Sequence, residues 1–210
     1  MANTDVTIQT IIDNSLARAK DPDKTQWTDA QMVIFINKAY DNVHKTLIRI
    51  GSEIVISEDT ITMVAATQEY LLADNLADFW GMTENGVYFS AIADPLVPVL
   101  YEDKQRAGTD TTATYPESYY VTNLNLGVID IPDATSAAAY PTLNCRYFKK
   151  NTPLTLTGNM PYNNLFNDAI SSYADYVAVL KTTAQTAEYT ALLNALEEQT
   201  LAIASKRTPT

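Results

Sequence analysis

Residues 27–41 carry the strongest local signal in this chain, because they specify where a helix begins. Thr28 is placed to accept a hydrogen bond from an unpaired backbone N–H of the first helical turn. Gln31 follows three residues later and can bond back to the cap, which completes a capping box. Trp27 and Met32 have the spacing of a hydrophobic staple around that cap. The sequence therefore predicts a helix that starts directly after Thr28.

The helix that starts there has one apolar face. Its apolar residues recur every three or four positions, which is the period of an α-helix, and Gly51 suits the left-handed position that commonly follows a helix. We therefore predict a helix over 29–50 with a buried face. The residues of that face are Met32, Phe35, Ile36, Ala39, Tyr40, Val43, Leu47 and Ile50.

Further helices are predicted near both ends of the chain. A short amphipathic helix, capped by Asp5 or Thr7 and ended before Pro22, precedes the long one and forms a helical hairpin with it. Near the C-terminus two more apolar faces, separated by a Thr-rich break at 182–186, predict a second hairpin. Those faces consist of Leu165, Phe166, Ala169, Ile170, Tyr173, Tyr176, Val177 and Leu180, and of Leu192, Leu193, Leu196, Gln199 and Ile203.

The middle of the chain predicts β-structure. Apolar and polar residues alternate around Ile54 and Ile56 and again along 143–148, where Leu143, Cys145 and Tyr147 share one face. Asn85–Gly86 between apolar stretches is a strong hairpin signal. The predicted fold class is therefore α+β, with a helical bundle built from two helical hairpins and an inserted antiparallel β-sandwich or barrel-like domain.

The order of the predicted helices and strands divides the chain into four parts. Residues 1–52 form the N-terminal hairpin, 53–158 the inserted β domain, 159–204 the C-terminal hairpin, and 205–210 a C-terminal tail. The tail is polar and contains Pro209, which prevents the last helix from continuing.

The net charge of −11 lies mostly in the middle of the chain. Residues 51–140 carry fourteen acidic side chains against two basic ones, Lys104 and Arg106. This charge either serves solubility or keeps a surface from adhering to nucleic acid and to its own copies. It disfavours a nucleic-acid-binding protein. No apolar run approaches the ~20 residues of a membrane span and the N-terminus has no signal-peptide pattern, so we expect synthesis in a cytoplasm and no membrane partner.

The residues that could carry catalysis do not combine into a site. His44 is the single histidine and borders the apolar face of the long helix, so it is interpreted as a structural residue. Cys145 is the single cysteine and lies within a strand among apolar residues, where it acts as a small hydrophobe. Residues 21–25 lack the glycine and the distal acid of a calcium loop. We therefore predict no enzyme, no catalytic residue, no metal and no cofactor.

An alternative function stays open on two features. Thirteen tyrosines could line a sugar-stacking face. Glu58–Asp59 and Glu102–Asp103 are carboxylate pairs of the kind that glycosidases use, although neighbours in a strand point to opposite faces. The alternative is a soluble carbohydrate-binding or hydrolytic module that uses the β domain.

Short sequence blocks follow one another in a definite order along nearly the whole chain. The blocks are Ile11–Ala19, Trp27–Tyr40, Tyr70–Leu72, Asn75–Phe79, Asp94–Leu100, Tyr101–Lys104, Tyr115–Val121, Arg146–Thr155, Leu165–Val177 and Ala187–Tyr189. Their succession resembles the head-to-tail adaptor, or connector, proteins of tailed bacteriophages. The resemblance rests on order and spacing, since no single block is a catalytic motif.

The resemblance implies a structural virion protein. It implies a homo-oligomeric ring, typically a dodecamer, that sits beneath the portal protein, extends the DNA channel and offers a docking platform to tail or nozzle proteins. DNA would pass through the lumen without specific binding. The protein would be located in the head–tail neck of the virion, after assembly in the host cytoplasm. The C-terminal tail would dock on the portal, through Lys206, Arg207, Thr208, Pro209 and Thr210.

Overall fold

A computed structural model describes residues 6–71, 79–92, 94–102, 116–122, 125–162, 165–179 and 186–205. The helices are α1 (Ile8–Arg18), α2 (Asp29–Arg49), α3 (Ala134–Ala139), α4 (Asn167–Val179) and α5 (Thr186–Ser205). The strands are β1 (Ile56–Thr62), β2 (Glu69–Leu71), β3 (Phe79–Phe89), β4 (Val97–Pro98), β5 (Ser118–Thr122), β6 (Asn125–Ile129) and β7 (Thr142–Lys149). The predicted α+β class is confirmed, and the described residues form two sheets and no closed barrel.

The chain divides into two compact units. One contains Met1–Val55 and Asn151–Thr210, and the other contains Ile56–Lys150. The first unit is helical, and in it α2 contacts α1, α4 and α5. The second unit holds both sheets and α3. The pairing of the helices into two hairpins and the sandwich arrangement of the sheets stay predictions.

The sequence signals at the two ends of α2 are confirmed. The Thr28 hydroxyl accepts a hydrogen bond from the Gln31 N–H at 3.3 Å, and the Gln31 side-chain oxygen accepts one from the Thr28 N–H at 2.9 Å. At the other end Gly51 has a φ of 64°, and the N–H groups of Gly51 and Ser52 donate to carbonyls of the last turn. These bonds satisfy carbonyls that a helix end leaves unpaired. Ile50 was predicted to be buried but is 43% exposed, because it is the residue that follows the helix.

Most of the predicted faces of the other helices are buried. Thr7 caps α1, with its hydroxyl accepting from the Thr10 N–H at 3.2 Å. In α4 the predicted inward position of Tyr176 is wrong, since the residue is 61% exposed and lies at the edge of the buried face, while Leu180 lies outside the described residues. In the predicted face of α5 only Leu196 is buried, Gln199 is exposed, and the remaining residues are half-buried. The buried residues of α5 recur every fourth position, at Leu196, Thr200 and Ala204.

Residues 151–158 belong to the helical unit in the structure, whereas the sequence analysis assigned them to the inserted β domain. The N–H of Ile8 donates to the Gly158 carbonyl at 3.0 Å, and the N–H of Gln9 donates to the Leu156 carbonyl at 3.2 Å. The compact β unit accordingly ends at Lys150.

Two sheets make up the second unit. One has the order β1-β7-β3 and is antiparallel throughout. The other has the order β2-β6-β5-β4, and here the short β4–β5 pair is parallel, which departs from the predicted all-antiparallel arrangement. Side chains from both sheets share one hydrophobic core. Its buried residues are Ile61, Met63, Tyr70, Val87, Phe89, Leu96, Tyr119, Leu126, Val128, Leu143, Cys145 and Tyr147.

Two local predictions in the β unit are wrong. Ile54 lies in a 3-10 turn, and the first strand begins only at Ile56. Asn85–Gly86 is not a hairpin turn, because β3 runs through it and the pairing with β7 shifts between Met82 and Val87. The residues between them form a bulge. The positive φ of 55° at Asn85 is compatible with this bulge and would also be compatible with a tight turn.

Candidate interaction sites

The residues predicted to dock on the portal, Lys206, Arg207, Thr208, Pro209 and Thr210, lie outside the described residues. The described chain ends at Ser205, the last residue of α5. Their docking role therefore stays a prediction.

His44 lies in a buried aromatic cluster of the helical unit. It is 3% exposed, and its Nδ1 forms a hydrogen bond with the hydroxyl of Tyr162. The two rings stack with centroids 6.2 Å apart, and Tyr40 and Phe166 pack against the same tyrosine at 5.8 and 5.9 Å. Burial raises the pKa of Tyr40, and burial followed by the neighbouring Tyr40 raises the pKa of Tyr162. The cluster is a buried, hydrogen-bonded part of the core, which agrees with the structural interpretation of His44.

Cys145 lies at the centre of the β unit and has no exposed surface. Burial, followed by the nearby carboxylates of Asp59 and Glu58, raises the pKa of its thiol to about 12. Because the thiolate is the nucleophile, a thiol with such a pKa is unreactive near neutral pH. Its role is that of a small core residue.

The carboxylates of Glu58 and Asp59 do not converge on one site. Asp59 accepts a hydrogen bond from the hydroxyl of the buried Tyr147 at 3.3 Å. Glu58 points to the other face of the sheet, where it accepts from the Tyr88 hydroxyl at 3.1 Å and lies 3.6 Å from Nε of Arg146. A glycosidase needs two carboxyl groups flanking one bond. Of the second predicted pair, Asp103 lies outside the described residues.

Most of the tyrosines that the structure describes in the β unit do not lie on an exposed face. Four of them are core residues, and the ring of Tyr120 is held by a hydrogen bond to Glu69. The buried tyrosines are Tyr70, Tyr119, Tyr120 and Tyr147. Together with the divergent carboxylates, this argues against the carbohydrate-binding or hydrolytic alternative.

Asp21 closes the loop between α1 and α2. Its Oδ1 accepts from the N–H of Thr25 at 2.8 Å and from the Thr25 hydroxyl at 2.6 Å, and its Oδ2 accepts from the N–H groups of Gln26 and Trp27 at 2.9 and 3.2 Å. These bonds, above all the one from the Thr25 hydroxyl, lower the pKa of Asp21 to about 2. Both oxygens are thus used to fold the loop that precedes the helix cap. No group of three or more His, Cys, Asp or Glu suited to a metal ion occurs in the described parts of the chain.

Exposed apolar side chains are the remaining candidates for contacts with other proteins. In the β unit Leu71, Val97 and Leu100 are 73%, 59% and 72% exposed. In the helical unit Tyr176 and Val179 on α4 are exposed as well. Sequence reasoning missed these residues because a periodic pattern shows which residues are apolar but not which of them remain uncovered. None of the helices described here is both long and apolar enough to cross a membrane.

The comparison with protein families gives one match, which covers nearly the whole chain. A family model described as SU10 adaptor protein matches residues 6–209. This is a family of phage head-to-tail adaptors, so the resemblance inferred from the order of sequence blocks is confirmed. It is a family of structural phage proteins and not a known enzyme family. No curated protein matches the chain.

Proposed function

Because the chain belongs to the SU10 adaptor protein family, we propose that it forms a ring beneath the portal protein of a tailed phage. The ring, a dodecamer, extends the DNA channel and presents a docking platform to tail or nozzle proteins. It resides in the head–tail neck of the virion after assembly in the host cytoplasm. The observation that carries this proposal is the extent of the match, since residues 6–209 include both compact units.

The surface chemistry of the described residues supports an assembly role. Apolar side chains are exposed on both units, while His44 and Cys145, the only histidine and cysteine, are buried in their cores. Repeated heterologous contacts between identical subunits close into a ring when the rotation between neighbours permits. A subunit that works by such contacts needs stable surfaces and no reactive pocket.

Mass photometry of the purified protein with and without portal rings tests this proposal. Alone, the protein should be a monomer or a small oligomer. With portal, it should add as a complete ring of subunits, with no stable partial occupancy at saturation. Complexes that contain only a single adaptor chain on each portal ring, or no binding to the portal at all, would contradict the ring.

DNA is proposed to pass through the lumen without being bound. The excess of fourteen acidic over two basic residues in 51–140 repels phosphates wherever that region approaches the channel. A lumen that gripped DNA would gain affinity by counterion release. We expect no duplex binding at about 100 mM salt, where electrostatic contacts to phosphates are already weakened. Tight binding whose affinity falls steeply with salt would show that the lumen grips DNA.

The C-terminal tail is proposed to hold the portal through charge. Lys206 and Arg207 would meet acidic portal groups, and Thr208, Pro209 and Thr210 would extend the contact. Deletion of 206–210 is a clean test because it leaves Ala204, which is buried at the end of α5, in place.

We expect the truncated protein to keep its fold and lose portal binding. Lys206→Glu combined with Arg207→Glu should have the same effect, while Lys20→Glu, a charge reversal at an exposed position outside the tail, serves as the control. If the truncated protein assembles on the portal and retains packaged DNA as well as the full chain does, the tail is not the docking element.

A further inference from the structure

Strand β1 forms one edge of the sheet β1-β7-β3. It pairs with β7 in a continuous antiparallel register from Ile56 to Thr62. The N–H of Met63 donates to the Pro141 carbonyl at 2.9 Å, and this bond shows which alternate residues of β1 are hydrogen-bonded to β7. Because bonding alternates along an antiparallel strand, every second residue of β1 directs its N–H and C=O away from the sheet. The residues whose backbone faces outward are Ile56, Glu58, Thr60 and Thr62.

These outward backbone groups have no hydrogen-bond partner within the described part of the chain. The side chains of Glu58, Thr60 and Thr62 are exposed as well. Natural proteins usually blunt such an edge with charged residues, proline or a bulge. The sequence of β1, Ile-Ser-Glu-Asp-Thr-Ile-Thr, contains no proline, its pairing with β7 has no bulge, and its only charged residues are the acidic Glu58 and Asp59.

The other edge positions differ from β1. At the edges of the second sheet, β2 spans three residues, and β4 spans two and contains Pro98, which has no N–H to donate. Strand β3 is interrupted by its bulge. β1 therefore offers an uninterrupted edge of seven residues to which a further strand could be added.

Charge determines which strand fits this edge. Glu58 and Asp59 are the only charged residues of β1, and they lie in the strongly acidic region 51–140. A second copy of this chain would bring the same acidic β1 to the contact, and like charges placed opposite each other destabilise strand pairs. Glu58 keeps 46% of its side chain exposed beside Arg146, so a further cation can approach it. From the open edge and the charge together, we propose that β1 binds an extended segment of a partner protein that places a Lys or Arg opposite Glu58.

This contact is separate from the proposed docking by the C-terminal tail, since it uses neither the tail nor any helix. It can be tested on the isolated full-length protein by residue-resolved amide hydrogen exchange. The probes are a short peptide in which Lys alternates with Val or Thr, and the same peptide with Glu in place of Lys.

The Lys peptide, at about ten times its Kd, should slow exchange of the Glu58, Thr60 and Thr62 amides about tenfold. The amides of Ser57 and Asp59 already bond to β7 and should not change. Thr60→Pro removes the central outward N–H without breaking the ladder to β7, and it should abolish the protection. Thr60→Val keeps the N–H and introduces a residue that favours strands, so this variant should retain the protection.

If the Thr60→Pro variant does not fold, Glu58→Lys is the alternative test. With lysine at position 58, the Glu peptide should protect the outward amides better than the Lys peptide does. Absence of protection by either peptide would overturn the proposal, and equal protection by both would overturn its charge requirement. Protection that appears without peptide and rises with protein concentration would show that a second copy fills the edge, which also contradicts the proposal.

Discussion

The side-chain amide of Asn37 makes both backbone hydrogen bonds of Leu154. Its Oδ1 accepts from the Leu154 N–H at 2.7 Å, and its Nδ2 donates to the Leu154 carbonyl at 3.1 Å. One turn along α2, Asp41 accepts from the side chain of Asn151 at 3.3 Å. The Asn37 side chain thus provides Leu154, in a segment without regular structure, with the two hydrogen bonds that a neighbouring strand would otherwise make. These bonds satisfy backbone groups that would otherwise be costly to bury.

Asn37→Ala should destabilise the protein by about 1–3 kcal/mol, because it leaves a backbone donor and acceptor of Leu154 without partners. Urea unfolding followed by circular dichroism measures the change. Asn194→Ala, at an exposed position of α5, is the matched control and should cost less than about 0.5 kcal/mol. An equal effect of the two substitutions would mean that water replaces the lost bonds.

Thr28→Ala should lower the free energy of unfolding by about 1 kcal/mol, since it removes the cap of α2. Thr28→Ser keeps a hydroxyl at the cap and should retain most of the stability. Thermal unfolding of the two variants provides the comparison. A serine variant as unstable as the alanine variant would show that the threonine methyl group, and not the cap, matters here.

Gly127→Ala should destabilise the β unit by about 1–3 kcal/mol through overpacking. Gly127 lies opposite Tyr120 in the β5–β6 pair, and a Cβ there would lie 2.0 Å from Cζ of the tyrosine ring. The hydroxyl of Tyr120 donates to Glu69 at 2.9 Å, which holds the ring in place. Gly81→Ala is the control, because a Cβ there meets nothing within 4 Å. In a double-mutant cycle, Tyr120→Leu should remove most of the cost, and simple additivity of the two changes would contradict the proposed clash.

Asp21 should make folding sensitive to acid. Its folded pKa of about 2 lies below the ordinary value of 3.8, so between these values the unfolded chain binds more protons than the native one. The stabilisation is complete above about pH 4 and is lost as the pH falls toward 2. The stability difference between wild type and Asp21→Asn should therefore narrow over this range. A difference that stays constant down to about pH 2 would contradict this account.

Local signals predicted the helices well. The cap at Thr28, the glycine at Gly51 and the spacing of apolar residues act within a few positions of one another, so the sequence alone reveals them. The short helix α3 also had such a signal, since Asp133 precedes an alanine-rich run and its side chain accepts from the Ser136 N–H at 2.7 Å. A helix of six residues is too short to show an apolar period, so this cap signal stands without one.

Features that depend on distant residues could not be predicted from periodicity. The Asn85–Gly86 dipeptide favours a turn and a bulge equally, and only pairing with β7 decides between them. Residues 151–158 join the helical unit because of partners such as Asn37, far away in the sequence. The exposed edge of β1 follows from the strand order, which no local pattern contains. The family, by contrast, was visible in the order of sequence blocks.

The β unit begins with β1 and ends with β7, and these two strands are direct neighbours with Ile56 opposite Phe148. The unit therefore begins and ends on neighbouring strands, with the Cα atoms of Ile56 and Phe148 about 5 Å apart. A gap of that width can be spanned by a short turn, so the two chain segments of the helical unit can be joined without the insert. Exchanging, enlarging or deleting the insert would then alter what the protein presents to its neighbours and leave the helical segments connected.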